Sequence, residues 1–228
     1  MKAMILAAGR GQRMRPLTDA KPKPLLEVGG RALIDWHLAA LCRAGVGEVV
    51  INTAWLAEQV RAHVGDGSAW GVAVRYSYEG ASGLETGGGI RRALHWLGKE
   101  PFWVINGDVW TDFDPARLPT RPPRLAHLVV VANPPHNSAG DFRLGNEGQL
   151  VAEPAGQPCT FSGIGCYHPA LFRETTAASF RLAPFLHQAV ADGQVTATYH
   201  AGDWFDIGTP ERLSAVDAYL RGQAARPS

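Results

Sequence analysis

Cysteine is scarce: Cys42, Cys159 and Cys166 are the only three in 228 residues, and none forms a C-x-x-C pair. That excludes a disulfide framework and a thiolate zinc site, and an odd count suits a reducing compartment with the thiols as small buried hydrophobes. Long apolar runs are also missing. None approaches the roughly 18 residues of a membrane span, and residues 3–8 fall short of the about 7–15 residues of a secretory apolar core. Net charge is only +1, so no global basic field recruits nucleic acid. The eight histidines show no H-x-x-x-H spacing, which argues against histidine-held zinc. Ser162 stands in F-S-G-I rather than G-x-S-x-G, so it does not read as a nucleophile. With 46% hydrophobic and 19% charged residues, the chain reads as a compact cytoplasmic domain without nucleic-acid or membrane partners.

What is present begins at the N-terminus. The apolar run Met4-Ile5-Leu6-Ala7-Ala8 stops at Gly9 and Gly11, and Arg10, Arg13, Arg15 and Lys23 follow. A buried strand that ends in a glycine loop among cations suits a polyphosphate, because glycine lets backbone N–H groups approach an anion closely. Two familiar phosphate loops do not scan. Met14 stands where G-x-G-x-x-G needs its third glycine, Asn52 replaces the acid that would close the second strand, and no G-K-[ST] follows. Lys23 lies between Pro22 and Pro24. Two rings that fix φ stiffen the backbone there, so the ammonium is aimed.

Periodicity sets the architecture. Apolar runs at 2–8, 48–52, 72–76 and 102–105 predict strands, and the 3.6-residue patterns at 33–41, 55–64 and 87–97 predict helices between them. That alternation implies βαβ units and a parallel sheet. Beyond about residue 114 the pattern turns mixed or antiparallel, with strands at 125–132, 142–144, 149–151, 160–167, 195–200 and 204–207. Helices follow at 180–191 and 210–220, the latter with Thr209 as N-cap and Pro210 in its first turn. The expected fold is Rossmann-like α/β: three α/β/α layers around a mostly parallel mixed sheet. We expect a single domain over 1–228, with a nucleotide-binding half at about 1–112, a sugar-binding half at about 113–220 and a frayed tail at 221–228.

Two carboxylates stand at strand ends. Asp108 follows the apolar strand in Asn106-Gly107-Asp108, and Asp206 precedes Ile207-Gly208. Ligands of open α/β sheets bind beyond such ends, and Mg²⁺ takes one or two carboxylates plus substrate phosphates. An aspartate capping the turn is the alternative for Asp108. Gly87-Gly88-Gly89 opens a predicted helix with no helix-favouring residue, which is consistent with close approach by a flat ligand or with an ordinary turn.

Taken in order, L-A-A-G-x-G-x-R-x-x-P-x-T from Leu6, P-K-P-L from Pro22, G-L-E-T-G-G-G from Gly83, N-G-D from Asn106, F-S-G-I from Phe161 and D-I-G-T-P-E-R-L from Asp206 resemble the sugar-phosphate nucleotidyltransferase family over nearly the whole chain. The E-T-G-G-G, G-D-F-R and F-S-G-I pieces look most like its branch of uridylyltransferases acting on N-acetylmuramate-1-phosphate. The resemblance implies Mg²⁺ as cofactor, with a nucleoside triphosphate and a sugar-1-phosphate as substrates, in a monomer or weak dimer that serves cell-wall sugar recycling. It places Ala8, Gly9, Arg10, Gly11 and Gln12 around the nucleotide, with Arg13 neutralising the triphosphate and Lys23 on the reacting phosphates. Glu85, Thr86 and Gly87 would lie along the base or ribose. Asn106, Asp141, Glu153 and Gly163 would face the sugar, and Asp108 and Asp206 would hold the metal. The implied chemistry needs no general base, because a phosphate monoester with a second pKa near about 6 is already ionised at neutral pH. A hexose-1-phosphate enzyme for mannose or glucose, and a nucleotide-sugar-binding regulatory module without catalysis, are the alternatives.

Overall fold

The computed structural model describes residues 1–80, 83–151, 155–173, 175 and 177–224. The first half runs β1 (Lys2–Leu6), α1 (Leu17–Ala20), β2 (Glu27–Val28), β3 (Arg31–Ala32), α2 (Leu33–Arg43), β4 (Glu48–Thr53), α3 (Ala57–Val64), β5 (Ala73–Tyr78), α4 (Glu85–Leu97), β6 (Phe102–Asn106) and β7 (Val109–Thr111). The second continues with β8 (Ala126–Val131), β9 (Phe142–Leu144), β10 (Leu150–Val151), β11 (Gln157–Tyr167), α5 (Leu182–Ala191), β12 (Val195–Tyr199), β13 (Trp204–Asp206) and α6 (Pro210–Ala224).

One nine-stranded sheet carries the molecule, in the order β10-β9-β11-β6-β1-β4-β5, with β8 on β11 and β12 on β8. The strands β6, β1, β4 and β5 are mutually parallel, and β11 lies antiparallel to β6, β8 and β9. The switch to antiparallel pairing thus falls after β6, where the periodicity changes character. β1 is buried on both faces, and its residues alternate between two cores. Ala3 and Ile5 pack with Ile34, Leu38 and Val60 of α2 and α3, whereas Met4 packs with Ile90, Ala93 and Leu186 of α4 and α5. Period-two alternation on a central strand therefore places helices on both sides of the sheet.

A third, smaller core joins Met14, Leu26, Val28, Leu33, Trp110, Ile207 and Val216. It holds α6 against the ribbon formed when β13 pairs antiparallel with β7. Thr209 does cap α6, its Oγ1 accepting from the Arg212 N–H at 3.4 Å. Helix α6 continues to Ala224, four residues into the tail expected from 221, and residues 225–228 lie outside the described residues. Its outer face is tied down by Asp217, which accepts from the Gly29 N–H and pairs with Arg221. Cys159 and Cys166 are buried, and desolvation pushes their thiols up to about 11 and about 12, so both are inert at neutral pH. No helix among the described residues is long and apolar enough to cross a membrane.

Candidate active site

The carboxyl ends of β1, β4, β5 and β6 all open into one cavity of about 330 Å³. This is where an open α/β sheet places its ligand, beyond the ends of parallel strands on either side of β1. One wall is the first loop, Leu6 to Arg10, with Lys23 and Pro24 beside it; the opposite wall is Asn106, Gly107 and Asp108. Asn52, Glu79 and the turn from Gly83 to Thr86 complete it.

Lys23 is where the two walls meet. Pro22 sits at φ −65°, ψ 144° and Lys23 opens a 3-10 turn, Lys23–Leu25, so the chain reverses within three residues. The side chain is nine-tenths buried, and Nζ donates to Asp108 Oδ2 at 2.6 Å while that carboxylate stays 43% exposed. A buried ammonium needs a partner, and Asp108 supplies it. Gly107 makes the approach possible, since a Cβ there would lie 2.5 Å from the Leu6 carbonyl that accepts the Gly107 N–H. Arg10, on the other side, lies 4.7 Å above the Trp55 ring.

Sequence reasoning missed the floor of the cavity. Asn52 and Glu79, at the ends of β4 and β5, are both buried. Asn52 Oδ1 accepts the Ala7 N–H at 2.7 Å, and its Nδ2 donates to Glu79 Oε1 at 2.7 Å. Glu79 Oε2 accepts the Leu84 N–H at 2.9 Å. This chain ties the first loop to the 83–86 turn. Burial raises the Glu79 carboxyl above the usual carboxylate range, opposed by its bonds to Asn52 and Leu84. Nothing in a one-dimensional pattern marks Glu79; it gains its role only because β5 pairs with β4 in the register Asn52↔Ser77. Next to it, Glu85 has φ +59°, left-handed backbone in a non-glycine residue at the cavity wall, the kind of strain that collects at functional sites.

The remaining candidates separate by position. Ala8, Gly9, Arg10, Lys23, Glu85, Thr86, Asn106 and Asp108 line the cavity together. Gly11, Gln12 and Arg13 are not in its wall; Gln12 and Arg13 are exposed on the adjoining turn Gln12–Met14. Gly87 is buried beneath Phe180, whose carbonyl accepts the Gly87 and Gly88 N–H groups at 3.0 and 3.2 Å. The glycine triplet thus makes room for protein: Phe180 covers Gly87, the Ala178 carbonyl comes within 2.5 Å of a Gly88 Cβ, and Glu79 lies against Gly89. Gly163 sits at φ +82° in the β11 bulge, where a Cβ would be 2.6 Å from Asn106 Nδ2. The Asp141 carboxylate accepts from the Phe161 N–H at 2.9 Å and from Asn137 at 3.0 Å, which pins the loop before β9. Glu153 lies outside the described residues.

Asp206 is not in the cavity wall, but its strand adjoins Asp108. Asp206 pairs with Val109, and the Ile207 N–H donates to the Asp108 carbonyl at 2.8 Å. Its carboxylate is held by Arg212 and, at 2.9 Å, by His136. Among the described residues no group of three or more His, Cys, Asp or Glu gathers. Asp108 and Asp206 are each already matched by a cation, Lys23 and Arg212 respectively.

Comparison with known proteins gives the family and the fold. Residues 2–142 match the family model described as nucleotidyl transferase. The chain is 51% identical over 225 residues to N-acetylmuramate alpha-1-phosphate uridylyltransferase of Neisseria meningitidis serogroup B, covering 96% of this chain and 97% of that one. It is 35% identical to the Caulobacter vibrioides protein of the same name, covering 96% of each. A Bacillus anthracis structure designated a glucose-1-phosphate thymidylyltransferase superposes with a TM-score of 0.83 at 21% identity, covering 97% of this chain and 95% of that one, and shows the shared fold. The chain belongs to the nucleotidyl transferase family, as a sugar-1-phosphate nucleotidyltransferase.

Proposed function

We propose that the protein transfers a uridylyl group from UTP to N-acetylmuramate-1-phosphate, releasing pyrophosphate and forming the nucleotide sugar. The observation that carries this reading is the Lys23–Asp108 pair, set in a cavity between a glycine loop and a parallel-strand end. The relatives named for this substrate pair match along the full length, which supports the choice of base and sugar.

The reaction is an in-line displacement at the α-phosphorus. A sugar-phosphate oxygen forms the new P–O bond, the bond to the β-phosphate breaks, and its electron pair leaves on pyrophosphate. No proton need move, because the attacking monoester is ionised with a second pKa near about 6. The difficulty is to hold several anions in line. Arg10 and Lys23 face that charge from the cavity, Arg13 adds to it from the adjoining turn, and fixed donors cost nothing to reorganise. Ala8, Gly9, Gly11 and Gln12 present the first loop to the triphosphate. Glu85 and Thr86 shape the wall for base and ribose, with Gly87 packed behind them beneath Phe180, and Asn106, braced by Gly163, faces the sugar with Asp141.

Mg²⁺ fits the donors present, since Asp108 and Asp206 are hard carboxylates on adjoining strand ends and the ion prefers one or two such ligands plus phosphates. When bound it would neutralise the phosphate charge that develops on the leaving group. Such a reaction would belong to the reuse of peptidoglycan sugars in the cytoplasm, in a monomer or weak dimer.

The test is pyrophosphate release with Mg²⁺ over a grid of nucleoside triphosphates and sugar-1-phosphates. Release with UTP and N-acetylmuramate-1-phosphate, well above every other pair, is the expected result. Release with a hexose phosphate instead would replace the substrate assignment, and none anywhere would leave a binding module.

A further inference from the structure

Arg212 has no part in the reading above, yet it is bonded to one of its key carboxylates. Its Nη1 donates to Asp206 Oδ2, lies 3.5 Å from the Asp206 carbonyl and 3.0 Å from His136 Nε2. The same His136 Nε2 is 2.9 Å from Asp206 Oδ1. One nitrogen cannot accept from Arg212 and donate to Asp206 at once, so the arginine is the constant partner of the carboxylate. All of these bonds run through Nη1. The Nε and Nη2 donors of the planar fork have no protein hydrogen-bond partner among the described residues. Thr209 caps the Arg212 N–H, fixing where the side chain starts. Gly208 gives the guanidinium its room, since a Cβ there would be 2.9 Å from Nη2.

Asp108 shows the same arrangement, with Lys23 on Oδ2. Two carboxylates and two permanent cations sum to zero, so the cluster is neutral before any substrate enters. A divalent cation on those carboxylates would compete with both basic side chains and leave an excess of positive charge. A nucleoside triphosphate supplies the matching negative charge, and a bidentate fork with free donors suits phosphate better than a point charge does.

We propose that Arg212 is a phosphate-binding residue held on Asp206 until metal and triphosphate arrive, when it leaves the carboxylate for the phosphates. This rests on the reading of Asp108 and Asp206 as the Mg²⁺ carboxylates. A purely structural arginine, clamping α6 to β13, would oppose metal on Asp206 in the same way but would make no contact with phosphate, so UTP affinity is the readout that separates the two roles.

The experiment measures two affinities of the full chain. Mn²⁺ binding without nucleotide is followed by electron paramagnetic resonance of the free ion, and UTP binding with Mg²⁺ by calorimetry. Arg212→Met should bind Mn²⁺ roughly threefold to fivefold more tightly, the scale of one partly exposed ion pair, and bind UTP with Mg²⁺ about tenfold or more weakly, as loss of a charged phosphate contact predicts. Arg212→Lys, which keeps the charge without the fork, should fall between wild type and Arg212→Met in both. It carries the test if the methionine variant does not fold. Unchanged or weaker Mn²⁺ binding by Arg212→Met, or full UTP affinity, would overturn the proposal and leave a clamp. Asp108→Asn separates the two readings: if it binds Mn²⁺ as wild type does, the metal assignment falls and the proposal with it.

Discussion

Gly89→Ala should destabilise the protein, although the same change in a free helix would stabilise it. Alanine is favoured over glycine inside a helix by about 1 kcal/mol. Here the new methyl would collide with Glu79 Oε1 and stand 2.9 Å from Asn52 Nδ2. Helix α4 and strand β5 are both held by backbone bonds, so the side-chain pair must give. Breaking the buried Asn52–Glu79 bond leaves two polar groups short of a partner, at about 1–3 kcal/mol each. Overpacking outweighs propensity, and the net loss is about 1–5 kcal/mol. In urea unfolding the midpoint should fall with the slope unchanged. UTP binding should weaken as well, because Glu79 is cavity floor. A cycle with Glu79→Ala isolates the cause: with the carboxylate gone the methyl has room, so the double variant should be more stable than the two single losses predict. A Gly89→Ala protein as stable as wild type, or strict additivity in the cycle, would refute this account of the glycine.

Lys23→Met and Asp108→Ala should each lower turnover by about a thousandfold, the scale of losing preorganised charge at a transition state, with far-ultraviolet circular dichroism unchanged. His37 is buried and desolvation lowers its pKa from 6.5 to about 4. The fold therefore favours the neutral ring, and its contribution is intact above 6.5 and lost as pH falls toward 4. At 1.36 kcal/mol per unit this amounts to about 3 kcal/mol. His37→Gln should flatten that part of the stability–pH curve, and an unchanged curve would contradict the assignment. Glu85→Gly should relieve the left-handed strain and hold or raise the unfolding midpoint, while kcat/KM for UTP falls as the cavity wall loses its side chain. A drop in midpoint would show that Glu85 is not strained.

Much of the fold was legible because its signals are local. The apolar runs at β1, β4 and β6 read as strands from a few residues each, and so did the shift from parallel to antiparallel pairing after β6. Lys23 between two prolines, and Asp108 after a strand, were legible for the same reason. What stayed hidden depends on pairing between distant segments. Glu79 is an ordinary acid until β5 docks on β4 and buries it beside Asn52. The glycine triplet suggested a flat ligand because Phe180 lies far along the chain and no sequence signal places it over Gly87. β7 is three residues long and becomes a strand only when β13 pairs with it. That pairing brings Asp206 beside Asp108, and it depends on a core of Trp110, Ile207 and Val216 that no local pattern shows.

The most direct test follows the label. UTP carrying ³²P in its α-phosphate, N-acetylmuramate-1-phosphate and Mg²⁺ are mixed with excess protein for a single turnover, using wild type and Lys23→Met. The account predicts that wild type moves the label into a nucleotide sugar with one pyrophosphate released per transfer, and that Lys23→Met leaves it in UTP. Label released as free UMP, or equal transfer by the two proteins, would contradict the claim that this cavity, with Lys23 at its centre, performs the transfer.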